Sequence, residues 1–254
     1  MSGDGASPVR LIAGGATGIG RACALAFLAQ GDDVLLADID APRGEALAAE
    51  NRGPGRLAFV QADLTDPDAP EHAVAAAMEA FGRLDTVFAN AGVLHVAPLA
   101  EWRMADWQRS LALNLTAPFF LSRAAAPALA QGGGGSIILT SSTAALRGHA
   151  SLHAYHATKA GLVGLTRSLA AELAPAGTRV NAILPGFVDT PFNEPFWRTR
   201  DDRDATTAAL VSRIPLGRQA VPDDVVGTVL HLSSDAAAYV TGTQAIVDGG
   251  YSIT

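Results

Sequence analysis

From residue 9 to residue 247, short, mainly apolar runs alternate with longer helix-patterned stretches, and this alternation narrows the possible folds more than any other feature. The runs 9–13, 33–37, 57–61, 86–89, 136–140, 179–184 and 245–247 read as buried strands. Between them, 21–30 is helical and ends at Gly31, and 42–50 closes at Gly53-Pro54. The stretches 69–81, 106–130, 154–174 and 223–233 read as further helices, the last but one stopping before Pro175. The long stretch 106–130 is expected to bend near Pro118 or Pro127. Strands without a polar face are covered on both sides, and a helix between successive strands makes them parallel. The expectation is an α/β fold: one Rossmann-like, doubly wound parallel sheet of about seven strands with helices on both faces.

Such a sheet binds ligands beyond the carboxyl ends of its strands, so the informative residues should follow each strand. After the first strand comes Gly14-Gly15-Ala16-Thr17-Gly18-Ile19-Gly20, then a helix. Glycines 14, 18 and 20 allow a tight turn and close backbone approach. The helix N-terminus offers free N–H groups and a positive dipole end to a pyrophosphate. A glycine turn alone can be purely structural; its place between an opening strand and a helix favours a dinucleotide. Asp38 closes the second strand, where its carboxylate can accept from both adenosine ribose hydroxyls and repel a 2′-phosphate. Its neighbours supply no cation, and Arg43 is the nearest basic side chain, so NAD is expected rather than NADP. Asp63-Leu64 and Asn90-Ala91-Gly92 follow the third and fourth strands; each would face the cofactor, and each alone is as readily a turn signal.

Tyr155 and Lys159 lie four residues apart on a helix and project from one face, and Ser142 lies just past the fifth strand. A free tyrosine, with a pKa of about 10, is a poor base at neutral pH. A nearby ammonium and a positive nicotinamide can each lower it by about 1–3 units, into the range useful for proton transfer. The serine hydroxyl can hydrogen-bond the substrate oxygen and steady a developing alkoxide.

Composition closes off other classes. The net charge of −7 argues against nucleic acid or an anionic membrane surface as a partner. Residues 1–7 are small and polar, with no apolar core of a signal peptide, and are expected to be flexible. The longest uncharged stretch, 124–146, is broken by glycines and hydroxyl residues and does not read as a membrane span. Cys23, the only cysteine, reads as a small buried hydrophobe; the absence of an intrachain disulfide fits a reducing cytoplasm.

The Gly14/Gly18/Gly20 turn, Asp63, Asn90-Ala91-Gly92, Asn114, Ser142, Tyr155, Lys159 and Pro185-Gly186 with Thr190 together resemble the short-chain dehydrogenase/reductase family, over nearly the whole chain. The step from Ser142 to Tyr155 matches the family spacing and selects Ser142 over Ser141. The resemblance implies that residues 1–254 form a single dinucleotide-binding and catalytic domain and that Tyr155 is the general acid/base. It further implies that Lys159 lowers the Tyr155 pKa and holds the nicotinamide ribose, and that Asn114 supports a water-linked proton path to Lys159. Thr17 and Ile19 in the turn would contact the cofactor. Residues 183–188, among them Pro185, Gly186 and Val188, with Thr190, would hold the carboxamide. It implies a homotetramer as well, with the apolar helices 106–130 and 154–174 available for self-packing. Two residues depart from the family pattern: Ala13 stands where threonine is common, and Ala89 where asparagine is, so the hydrogen bonds that brace neighbouring loops are missing.

The substrate side is less sharply written. By the resemblance, 190–214 is a lid, with Phe192, Phe196 and Trp197 as an apolar wall or as plain packing residues. His95, His149 and His153 fall near strand ends and could hydrogen-bond a hydroxylated substrate; Ala144 is a further pocket candidate. His149 and His153 have metal-ligand spacing, but no glutamate lies between them and no third ligand is apparent, so no metal is expected. The expected reaction is hydride transfer between a secondary alcohol and a ketone, the substrate a cyclic or polyhydroxylated alcohol. An NADP-dependent ketone reductase, an epimerase or dehydratase, and a non-catalytic NAD-binding regulator are the competing readings.

Overall fold

The computed structural model describes residues 7–51 and 53–254. The flexibility expected of 1–7 falls almost entirely on residues outside that range.

Seven parallel strands form one sheet in the order β3-β2-β1-β4-β5-β6-β7. They are β1 Val9–Ala13, β2 Asp33–Asp38, β3 Leu57–Gln61, β4 Thr86–Ala89, β5 Gly135–Thr140, β6 Thr178–Pro185 and β7 Gln244–Val247. The strand order reverses at β1/β4, which pair Ala13 with Ala89. There the connections run to opposite sides and leave a crevice at the carboxyl ends.

Nine helices accompany the sheet: α1 Gly18–Ala29, α2 Ala41–Glu50, α3 Ala69–Phe81, α4 Met104–Leu111, α5 Ala117–Gln131, α6 His153–Leu173, α7 Glu194–Trp197, α8 Arg203–Val211 and α9 Asp223–Ser233, among the described residues. Strand alternation divides the helices that pack on the sheet between two cores. Leu11 and Ala13 pack with α3, α5 and α6 through Ala73, Leu121, Leu129 and Leu162. Ile12 and Leu36 point the other way, against α1 and α9, through Phe27, Val225 and Val229.

Two boundaries differ from expectation in an instructive way. α1 begins at Gly18, inside the glycine turn. The expected helix over 106–130 is three pieces: α4, a π-helical turn at Ala112–Thr116, and α5. Pro127 sits inside α5 without ending it. The disturbance lies just ahead of Pro118, which has no N–H to give the Asn114 carbonyl four residues back. The Ala117 N–H reaches five residues back, to the Ala112 carbonyl.

Candidate active site

A cavity of about 370 Å³ opens at the carboxyl ends of the strands, within the range of small-molecule sites. Gly14, Thr17, Gly18, Ile19 and Asp38 line one end; Asp63, Leu64, Asn90, Ala91 and Gly92 line its middle. Ser142, Tyr155, Lys159, Pro185, Gly186, Val188, Thr190 and Phe192 line the other end.

The first end suits a dinucleotide. Gly14 has φ +82°, and a Cβ there would lie 2.5 Å from the Ala91 backbone. Gly18 has φ +54°, so both positions exclude ordinary side chains. Thr17, the N-cap of α1, makes no side-chain capping bond, and the Arg21 N–H is the one that returns to the Thr17 carbonyl. The amides of the first turn therefore face the cavity with the positive end of the helix dipole. Gly20 is not on the cavity wall: a Cβ there would lie 2.1 Å from the Gly14 carbonyl oxygen, so this glycine lets the helix pack on the turn.

Asp38 is pinned from behind. Its Oδ2 accepts the Ala16 N–H at 2.9 Å and its Oδ1 the Asp40 N–H at 3.0 Å, which leaves both oxygens a lone pair toward the cavity. Arg43 is drawn to Asp40, its guanidinium 2.5 Å away and largely solvent-exposed. Asp63 accepts from both the hydroxyl and the N–H of Thr65, which hold its carboxyl below the usual range.

The absence of the usual hydroxyl at 13 and amide at 89 does not leave the loops loose. Asn90 Nδ2 donates to the Gly14 carbonyl at 2.7 Å, and the Asn90 and Ala91 N–H groups both reach the Ala13 carbonyl. Asn114 is fully buried. Its Oδ1 accepts the Val93 N–H at 2.7 Å and its Nδ2 donates to the Val93 carbonyl at 2.9 Å, fixing the loop after β4. Its side chain is spent there rather than on Lys159, whose Nζ donates to the Thr140 carbonyl at 2.7 Å.

The two adjacent serines differ. Ser141 Oγ donates to the Lys159 backbone carbonyl at 2.7 Å, a structural tie. Ser142 Oγ accepts the Ala144 N–H at 3.1 Å, and Ser142 lies close enough to the Tyr155 phenol to lower its proton affinity. Lys159 Nζ lies 5.6 Å from the Tyr155 ring centre.

Their proton affinities are not those expected. Burial pushes the Tyr155 phenol up to about 12, against a smaller lowering by Ser142, and burial pulls Lys159 down to about 7. A lysine that barely holds its proton is a weak neighbouring charge, so in the protein alone desolvation outweighs it. The two groups restore each other: a Tyr155 phenolate would hold the Lys159 ammonium, and that ammonium would hold the phenolate.

A family model described as "Enoyl-(Acyl carrier protein) reductase" matches residues 14–252. The chain belongs to the short-chain dehydrogenase/reductase family. It is 39% identical over 250 residues to the 3-alpha-(or 20-beta)-hydroxysteroid dehydrogenase of Mycobacterium tuberculosis, covering 98% of this chain and 91% of the relative. It is 37% identical over 247 residues to the D-threitol dehydrogenase of Mycolicibacterium smegmatis, covering 96% and 93%. The solved structure of levodione reductase superposes with a TM-score of 0.93 at 30% identity, covering 98% of this chain and 99% of that one. As a short-chain dehydrogenase/reductase, the protein is an oxidoreductase of CH–OH groups that works with a nicotinamide cofactor.

Among the substrate candidates, only Phe192 reaches the cavity wall. Trp197 is buried behind it with Phe196, Leu94 and Leu152, a cluster that packs on Tyr155 and Phe192. His95 faces Trp102 and Asp106, and His153 faces Trp102. His149 stacks between His156 and Tyr251, and Ala144 is buried under the Ser142 turn. Several wall residues carried no sequence signal, among them Ala62, Thr65, Val93, Arg109 and Leu113. Arg109 comes from α4, where its charge acts on Asp63, and Leu113 from the π-helical turn. Among the described residues, no three His, Cys, Asp or Glu side chains converge as a metal site, and no helix is long and apolar enough to cross a membrane.

Proposed function

We propose that this short-chain dehydrogenase/reductase is an NAD-dependent dehydrogenase that interconverts a cyclic secondary alcohol and its ketone, with Tyr155 as general acid/base. The observation that carries the reading is the meeting of Ser142, Tyr155 and Lys159 in the same cavity as the doubly anchored Asp38. When bound, the nicotinamide supplies the hydride chemistry. The chain supplies the rest. Asp38 accepts from the adenosine ribose hydroxyls, the first turn of α1 takes the pyrophosphate, and residues 185–190 flank the nicotinamide end. Ser142 donates to the substrate oxygen, Tyr155 takes or returns the hydroxyl proton, and Lys159 stabilises the phenolate.

The substrate is read from the wall beside Tyr155. Phe192 is the apolar face there, backed by the buried Leu94, Leu152, Phe196 and Trp197, and the nearby histidines are engaged with one another or with aromatic rings. That surface favours a substrate with a compact apolar body over an open-chain polyol. Residues 190–214, with Phe192, Phe196 and Trp197, act as its lid. The protein works in the cytoplasm, where its single buried Cys23 stays a thiol, and assembles as a homotetramer.

NADH fluorescence after mixing with cyclic, acyclic and polyhydroxylated secondary alcohols tests the reading. Turnover with NAD should exceed that with NADP by about ten-fold or more in kcat/KM, since a 2′-phosphate beside Asp38 costs at least the ~1.4 kcal/mol of one decade. Asp38→Ala should narrow the gap. Equal use of both cofactors by the wild type would contradict the role of Asp38.

A further inference from the structure

Tyr155 and His156 are consecutive on α6, so their side chains leave the helix about 100° apart. Tyr155 faces the cavity, while His156 faces the loop that follows Ser142. We propose that His156 is a positioning residue: a neutral imidazole that clamps this loop to the helix carrying Tyr155 and thereby aims the Ser142 hydroxyl. The proposal rests on the reading of Ser142 and Tyr155 given above.

The geometry fixes the ring's state. His156 Nδ1 lies 2.6 Å from the Ala144 carbonyl oxygen, and Nε2 lies 2.9 Å from the His149 backbone nitrogen. A carbonyl can only accept and a peptide N–H can only donate. The proton is therefore on Nδ1 and the lone pair on Nε2, a single neutral tautomer. A second proton would set one N–H against another.

Both ends of the stretch 144–149 are thus tied to one ring. Ala144 is the link to the chemistry: its carbonyl is held by His156, and its N–H donates to Ser142 Oγ at 3.1 Å. With that lone pair engaged, the Ser142 O–H is left to point away from Ala144, into the cavity that Tyr155 also lines. The Ala145 N–H closes the same turn on the Ser142 carbonyl at 2.9 Å. The clamp is backed from outside. The His149 ring stacks on His156 at 5.8 Å and on Tyr251 at 6.2 Å, and Phe187 meets His149 edge-on.

The test uses the full-length protein, NAD and whichever secondary alcohol the wild type oxidises fastest. His156→Leu removes both hydrogen bonds. His156→Gln carries an amide N–H and oxygen spaced about as the two ring nitrogens are, so it can remake them. His156→Leu should lower kcat by about 10–100-fold, the scale of a misplaced reacting group, with KM for NAD little changed. His156→Gln should recover most of the loss. In a Ser142→Ala background His156→Leu should add almost nothing, because its target is gone.

Wild-type kcat in His156→Leu overturns the proposal, and so does an undiminished loss in the Ser142→Ala background. If His156→Leu does not fold, Ala144→Pro replaces it. That variant deletes the N–H to Ser142 and leaves the ring alone, and it should show the same loss and the same silence with Ser142→Ala. If Ser142→Ala itself costs nothing, the reading of the site falls and the clamp with it. If Ser142→Ala is costly and His156→Leu is not, the clamp alone falls.

Discussion

At the scale of single residues, the site places two groups in uncomfortable protonation states side by side. Tyr155 is held protonated by burial and Lys159 is close to losing its proton. The consequence for stability has a definite sign. The Lys159 pKa is about 7 in the folded protein and about 10.4 when unfolded, so between those values the unfolded chain binds more protons. Stability therefore rises with pH across that window. Tyr155 acts oppositely only above about pH 10, where the folded state keeps a proton that the unfolded state loses. Lys159→Met should be stabilising relative to wild type near pH 7, with an advantage that shrinks as pH approaches 10. Thermal denaturation of both proteins at pH 7 and 9.5 checks this; an equal gap at both values would show that Lys159 is not desolvated.

What was legible at this scale divides by how local the signal is. Tyr155, Lys159, Ser142 and Asp38 stand at fixed offsets on one helix or at strand ends, so spacing alone brings them to the cavity. His95, His149 and His153 also fall near strand ends, but their rings turn to Trp102, His156 and Tyr251, and spacing carries no such direction. His156 looks like any helical residue until Ala144 and His149 are seen against its two nitrogens.

At the scale of elements, the π-helical turn at Ala112–Thr116 is the feature that sequence periodicity could not resolve. A proline signals a missing N–H, but where the helix absorbs it depends on packing. Pro127 leaves α5 unbroken, whereas the turn ahead of Pro118 carries Asn114 to both polar groups of Val93. Pro118→Ala restores a donor for the Asn114 carbonyl and favours a regular helix. The melting temperature should hold or rise, while kcat falls several-fold as the Asn114 side chain leaves the Val93 loop. An unchanged kcat would separate the π turn from the site. Strand existence and parallel direction were far more legible, because mainly apolar runs between helices leave a parallel sheet with few alternatives. Helix starts were less so, since Gly18 begins α1 within what reads as a turn.

At the scale of the molecule, the sheet ends at β7, and Leu216, Tyr239, Ile246 and Ile253 are exposed apolar side chains near that end of the chain. Phe119 on α5 is also partly exposed. Such surfaces suit burial against further copies. Light scattering should give a particle about four times the 26.0 kDa chain, and a monomer at micromolar concentration would contradict the proposed tetramer.

The whole arrangement, from the glycine turn to the lid, serves one proton and one hydride, and the proton is assigned to Tyr155. The most direct test is steady-state oxidation by Tyr155→Phe, followed by NADH fluorescence alongside NAD binding. The account predicts a fall in kcat of about 10²–10⁴-fold, the range for a lost general acid/base, with NAD affinity retained. Turnover near the wild-type rate would contradict it.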